Sequence, residues 1–401
     1  MAVANLSDMY VALKAQSGLG SEATGTGASG IEVAASQGIA AQVATIESAM
    51  IQRSRMRKRP RHGTKSITAG YETELQVGNL DTVLEGGLGG TWVAAQAFDE
   101  TDWGALTITG TGVTLTFAGG TIVTDGIRAG MMGRLTNMSE AGNNSKWFPI
   151  LVAAEGVLTI PSGILEDNAE DAAWDIEIAK SIYTATPYTD RYFTVEEYLG
   201  TAVDRSKVAT DMRINSLNFS SQPGSPIGLG FGMGGRALEL KATGSSPHFT
   251  DPAFVDAASL VLVDGEVYVN GASVGGKVTG LTWGLAAPLT NLESIGSLTP
   301  VDVILGQFAF TGQATVWLED GTYFDDFDAE TRISLMLHCA EQGGVTEDFV
   351  SFYLGNLSYG GWSTPVGGEG GALQTIPLYG GEDERGTGYA PSTVVVSTTA
   401  A

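Results

Sequence analysis

Apolar residues recur at every second position along short runs of this chain. Ile67, Ala69, Tyr71 and Leu75 alternate with Ser66, Thr68, Glu72 and Glu74, the pattern of a strand with one face on a core and the other in water. "RYFTVEEY" and "RINSLNFSS" continue the strand signal, the second setting Leu217 and Phe219 against Ser216, Asn218 and Ser220. In "PIGLGFGMGG" one side carries Ile227, Leu229, Phe231 and Met233 and the other is bare glycine, a face that suits close approach of another backbone, such as that of a second subunit. "GQFAFTGQATVWLEDGTYFDDFDAE" predicts two further strands and a short acidic helix near Tyr323 to Phe327, and "DFVSFYLGNLSYGG" and "GALQTIPLYGG" close the series. A second short helix is expected in "NLDTVLEGGLGG", capped by Asn79 or Asp81 and stopped by Gly86 or Gly87. These signals predict a mainly β fold with short helices.

Between about 103 and 168 the texture changes to shorter alternating runs closed by Gly pairs and an Asn-rich turn ("ALTITGTGVTLTFAGG", "AGNNSK", "GVLTIPSG"). This predicts a small inserted β-barrel. Residues 1–50 are rich in Ala, Ser, Gly and Thr with little periodicity. They and the Thr- and Ala-rich end from Gly386 to Ala401 are expected to be extended arms that order against a neighbour. "RHGTKSITAGYETEL" and "TDMRINSLNFSSQPG" each open a basic-then-alternating strand, followed downstream by a Gly-rich segment, a likeness that an internal duplication would produce but does not require.

The 401 residues are 43% hydrophobic and 16% charged, with 55 glycines. That is too apolar for disorder, rich in turn formers, and long enough for two or three domains. A single cysteine, Cys339, excludes an intrachain disulfide and is expected to be a buried thiol. No charged start is followed by an apolar stretch, and no apolar run reaches the ~18 residues of a membrane helix. The expectation is a chain made in a cytoplasm that stays soluble, with no membrane partner. Forty-five Asp and Glu against 21 Lys and Arg give a net charge of −24, which opposes tight binding to nucleic acid.

The chemical motifs dissolve on inspection. Gly271 to Gly275 match G-x-S-x-G, but a strand follows where a nucleophile elbow needs a helix, so a hairpin turn is expected. Gly230, Gly232 and Gly235 fit G-x-G-x-x-G without the helix that would receive a pyrophosphate. His62, His248 and His338 are scattered, outside metal-ligand spacing. Glu319 to Glu330 pack six carboxylates into twelve residues without the alternating ligands of a calcium loop, and read as a solvated acidic face. No catalytic constellation, cofactor site or metal site is expected, and the chain is not expected to be an enzyme.

Six of the nine residues from Arg53 to Arg61 are cationic: Arg53, Arg55, Arg57, Lys58, Arg59 and Arg61. Phosphate bound there would face repulsion from the rest of the chain. A contact between copies accounts for the cluster better, with Asp320, Asp325, Asp326 and Asp328 of another copy as its counterpart. A head-to-tail contact that does not close generates a filament.

"RHGTKSITAGYETEL", "LDTVLEGGLGGTW", the "RYFTVEEY…DMRINSLNFSS" segment, "TGQATVWLEDGTYFDDF" and the ending "TPVGGEGGALQTIPLYGG", in that order, resemble the major tail tube proteins of long, non-contractile-tailed bacteriophages (siphophages). "ALKAQSGLGSEATG" near the start adds to the likeness. The resemblance implies a structural virion protein with a β-sandwich or barrel tube core and short helices. Copies would form rings whose inner strands make one continuous barrel. The rings would stack, bridged by arms, into a hollow tail tube that conducts the genome. Partners implied are other copies of the chain, the tape-measure, tail-tip and tail-terminator proteins, and phage double-stranded DNA passing without specific binding. Assembly would take place in the host cytoplasm.

The chain then divides into an N-terminal arm (1–55), a tube domain in two parts (56–102 and 169–385), an outward-facing insert (103–168) and a C-terminal arm (386–401). If the tube domain is duplicated, with a second repeat from about 208, a ring needs three chains to imitate six; otherwise rings are hexamers. Carboxylates in the bore would repel DNA over roughly a Debye length, ~8 Å at physiological salt. Glu72 and Glu74, on the polar face of the first strand, are the lumen candidates. The alternative reading is a carbohydrate-binding or adhesive β-sandwich protein, which would carry a secretion signal and clustered exposed aromatics or calcium ligands.

Overall fold

The computed structural model describes residues 6–50, 53–274, 276–318, 322–341, 348–361, 363 and 371–399. In its first half, Tyr10–Ala15 (β1), Ala40–Ile46 (β2), Arg61–Glu74 (β3), the helix Asp81–Leu88 (α1), Phe193–Tyr198 (β4), Ser206–Ser221 (β5), Gly228–Gly235 (β6) and Ala237–Leu240 (β7) follow in chain order. They pair antiparallel: β1 with β4, β4 with β5, β5 with β6 and β7, β6 with β3, and β3 with β2.

The second half holds Gly265–Val269 (β8), Val278–Ala286 (β9), Leu289–Leu292 (β10), Asp302–Leu305 (β11), Ala309–Trp317 (β12), the helix Thr322–Asp328 (α2), Ile333–Ala340 (β13), Phe349–Tyr359 (β14), Leu373–Gly380 (β15) and Val394–Thr398 (β16). Here β8 pairs with β13, β13 with β14, β14 with β15 and β16, β15 with β12, and β12 with β9. With the β10–β11 pair as the outer end of the β9–β12 hairpin, where the first half has the outer end of β2–β3, the two patterns correspond element for element, from β1 with β8 to β7 with β16, and α1 with α2. The correspondence sets β3 beside β12. "TDMRINSLNFSSQPG", which the sequence likened to β3, forms β5 and answers to β14, and the second pattern opens at Gly265 rather than near 208.

The halves join where β9 lies against β5, from Ser216 opposite Ala286 to Ser221 opposite Leu281. One sheet therefore runs β3–β6–β5–β9–β12–β15. Its inner face sets Tyr71, Phe231, Leu217, Leu285 and Phe310 in a row across five strands, all buried; each such side chain contributes about 1.5–3 kcal/mol on leaving water. Helix α1 covers this core. Gly86 and Gly87 do not stop it as expected: they lie within it, where a Cβ would sit 2.7 Å from the Phe193 ring and 2.5 Å from Leu217 Cδ1. The helix ends at Gly89, φ 60°, and starts from Leu80 without a side-chain cap. Asn79 instead donates to the Glu74 carbonyl at 3.0 Å.

Neither expected arm stands apart from the fold. Strand β1 pairs along its whole length with β4, and Leu13 is buried. Strand β16 is buried at every residue, between β14 and Lys180–Tyr183. Its β-branched run has both faces covered, so it shows none of the alternation that marks a half-exposed strand. The inserted region is also larger than expected and is not a closed barrel. It comprises a five-stranded sheet and a four-stranded one, the latter built from Gln96–Asp99, Met132–Thr136, Trp147–Pro149 and Asp175–Ile178. Trp103, Phe117, Phe148 and Trp174 fill its own core, and Trp147 docks against Phe349 of β14 at 5.0 Å between ring centroids.

Candidate assembly surfaces

The outer face of the six-stranded sheet follows from its register. One row reads Glu72, Gly230, Asn218, Gly284, Thr311 and Tyr379 across the strands; the next reads Glu74, Gly228, Ser220, Thr282, Gln313 and Pro377. Each strand turns its alternate residues this way, so the apolar side chains opposite them enter the core. The glycines serve neighbours within the chain: a Cβ on Gly232 would lie 2.4 Å from Ser216 Oγ, and one on Gly284 2.7 Å from Asn218 Oδ1. The result is a polar face, recessed by about 400 Å³ where Glu72, Asn218, Gly230 and Gly232 meet Ser36 and Gln37, whose charges in these two rows are the carboxylates of Glu72 and Glu74. Both are exposed, and the Ser259 hydroxyl donates to Glu74.

The basic cluster is the tip of the β2–β3 hairpin. Arg53, Arg55, Arg57, Lys58 and Arg59 lie in the connecting segment, exposed, and Arg61 opens β3 opposite Ile46. Among the described residues its ion pair is local, Arg57 to Glu47 at 3.0 Å, with both side chains largely in water, where such a pair contributes little. Met56 and Ile46 are 73% and 61% exposed beside it. Of the acidic counterparts, Asp325 and Asp328 are exposed on α2 and Asp326 is half-buried, while Asp320 lies outside the described residues.

The corresponding tip in the second half, β10–β11, is seated on the first half. Arg213 donates to the Val303 carbonyl at 3.0 Å and Arg236 to the Val301 carbonyl at 3.0 Å. The Tyr192 hydroxyl donates to the Asp302 carboxylate at 3.2 Å, and the Lys65 amide to the Leu298 carbonyl at 2.8 Å. Leu289 packs on Gly234 so closely that a Cβ there would lie 2.3 Å from its Cδ1.

Two buried carboxylates that the sequence reading passed over tie distant segments together, Glu197 at the base of the first hairpin and Glu196 at the 248–249 segment. Glu197 accepts from the Ile39 amide at 2.5 Å, the Tyr71 hydroxyl at 2.9 Å and Lys207 Nζ at 2.9 Å. Glu196 accepts from the amides of His248 and Phe249 at 2.6 and 2.8 Å and from the Ser206 hydroxyl. Burial and the Glu197 carboxylate push the Tyr71 hydroxyl well above its ordinary range. The signal for them was two adjacent Glu in a strand whose six residues are all buried, a pattern alternation does not reveal.

The remaining motifs take the places expected of them. Gly271 sits at φ 80° in the tight β-turn between β8 and Ala272–Ser273; Gly275 lies outside the described residues. Gly230, Gly232 and Gly235 are on strand β6. Cys339 is fully buried, which raises its thiol pKa.

No curated protein sequence matches the chain. A family model described as phage tail tube protein matches residues 7–380, from just before β1 to the end of β15, and so spans both halves, the shared sheet and the insert. The chain belongs to the phage tail tube protein family, the structural virion components that assemble into the tube of the tail.

Proposed function

We propose that copies of this chain close into rings, with the outer face of the six-stranded sheet turned to the bore, and that the rings stack into a tube through which the phage genome passes. The observation that carries this reading is that face: mostly small, neutral side chains, with carboxylates at Glu72 and Glu74 as the charges of its two central rows. Anionic groups in a bore repel phosphates within about 8 Å at physiological salt, and neutral Gly, Ser, Thr and Asn give a base or phosphate little to hold.

The matched pairing patterns support two tube units in one chain, so a ring of three chains presents six units. The insert, held on the side of β14, faces outward from the ring. Initiation on a tail-tip complex, length control by a tape-measure protein and closure by a terminator, all in the host cytoplasm, complete the proposed assembly.

Sedimentation and negative-stain microscopy of the purified chain test the stoichiometry. Annular particles of three chains, stacking into hollow tubes, are expected. Rings of six chains would overturn the two-unit reading, and a species that stays single at every concentration, with and without tail-tip proteins, would overturn ring assembly.

A further inference from the structure

We infer that the second half carries a cleft that receives the β2–β3 hairpin tip of another copy of this chain. The inference rests on the assembly reading above and names the side-by-side contact within it.

The template lies inside the chain. In the first half, Tyr192, Arg213, Gly234 and Arg236 form the seat of the β10–β11 tip. Register carries these positions into the second half: Arg213 opposite Gly234 becomes Ser358 opposite Tyr379, and Phe193 opposite Met212 becomes Ile333 opposite Leu357. Tyr192, one residue before Phe193, and Arg236, two beyond Gly234, answer to Arg332 and Gly381. Arg332, Ser358, Tyr379 and Gly381 together line a cleft of about 780 Å³. In the first half a hairpin from the adjoining half fills the seat; in the second, the hairpin standing in the same relation belongs to a neighbouring chain, and it is the β2–β3 hairpin.

Charge identifies the occupant independently. In the filled seat Arg213 and Arg236 are ion-paired with Asp190 and Asp211 and grip the tip by its Val303 and Val301 carbonyls, and that tip carries Glu293 and Asp302 with no Lys or Arg. The open cleft is lined by Asp328 and Glu330 with Arg332 as its cation, and the β2–β3 tip carries the Arg53–Arg61 cluster. The basic tip is complementary to the open cleft, whereas the acidic β10–β11 tip would meet like charge there, which favours alternation of first and second halves around a ring. Apolar contact accompanies the charge: Tyr379, 57% exposed in the cleft, faces a tip bearing Met56 and Ile46.

Cysteine pairing tests the contact. A chain carrying Met56→Cys and Ser358→Cys, oxidised under assembly conditions, is expected to give ladders of covalently joined chains, Cys339 being too buried to take part. Reversing the tip (Arg55, Arg57, Lys58 and Arg59→Glu) lowers the yield by about tenfold or more, and adding Asp328→Lys with Glu330→Lys restores it. Rings or tubes that form without the 56–358 crosslink would overturn the docking and leave ring assembly standing. Single chains with neither rings nor crosslinks would overturn both, and reversal without rescue would remove the charge-matched occupant.

Discussion

Arg213 on β5 donates to the backbone carbonyl of Val303 in the β10–β11 tip at 3.0 Å, and so ties the second half's hairpin to the first half's sheet. The guanidinium is buried and also ion-paired with Asp190, so its removal strands a buried acceptor. Arg213→Ala is expected to lower the opening free energy of the tip amides in 289–305 by about 2–3 kcal/mol. Hydrogen exchange should show the loss there with β14 unaffected; uniform loss would mean the tip is not a separate latch.

Helix α1 is held by the absence of side chains at Gly86 and Gly87. Alanine gains about 1 kcal/mol in helix propensity over glycine, but a Cβ at 87 would lie 2.5 Å from Leu217 Cδ1, and overpacking costs about 1–3 kcal/mol. Gly87→Ala should therefore lower the denaturation midpoint. A raised midpoint would show that α1 rides looser on β5 than its geometry requires.

His338 is buried against Phe349, and burial pushes its pKa down to about 4, with Glu266 opposing. An unfolded histidine titrates near 6.5, so protons favour the unfolded chain between these values. The neutral ring's contribution is whole above pH ~6.5 and is lost as pH falls toward 4, by about 3 kcal/mol. Wild type minus His338→Leu unfolding free energies, measured from pH 7 to 4.5, should shrink accordingly; a difference independent of pH would contradict the shift.

If Glu72 and Glu74 face the bore, Glu72→Lys with Glu74→Lys places cations along the path of the duplex. Assembled tubes of this variant should retain duplex DNA at low salt and release it as salt rises, whereas wild-type tubes retain none. Equal retention by both would place the two residues elsewhere.

The sequence exposed those parts of the fold in which one face is wet and the other dry. Strands β3, β5 and β6 alternate because their outer face lines the open sheet, and α2 announced itself by acidic residues beside Tyr323 and Phe327. Strands β1 and β16 were misread as arms because short strands buried on both faces carry no period. Glu196 and Glu197 escaped notice because what keeps them buried is the amides of Ile39, His248 and Phe249, far away in the chain. The basic tip was visible as composition, but its seat was not: Ser358, Tyr379 and Arg332 come together only through register, and the two halves share a pairing pattern rather than a sequence pattern.

A cryo-electron microscopy reconstruction of tubes assembled from the purified chain tests the central claim most directly. The account predicts three chains per ring, the β3–β6–β5–β9–β12–β15 face on the bore with Glu72 and Glu74 toward the axis, and the insert on the outside. A reconstruction with that face on the outer wall, or buried between rings, would contradict it.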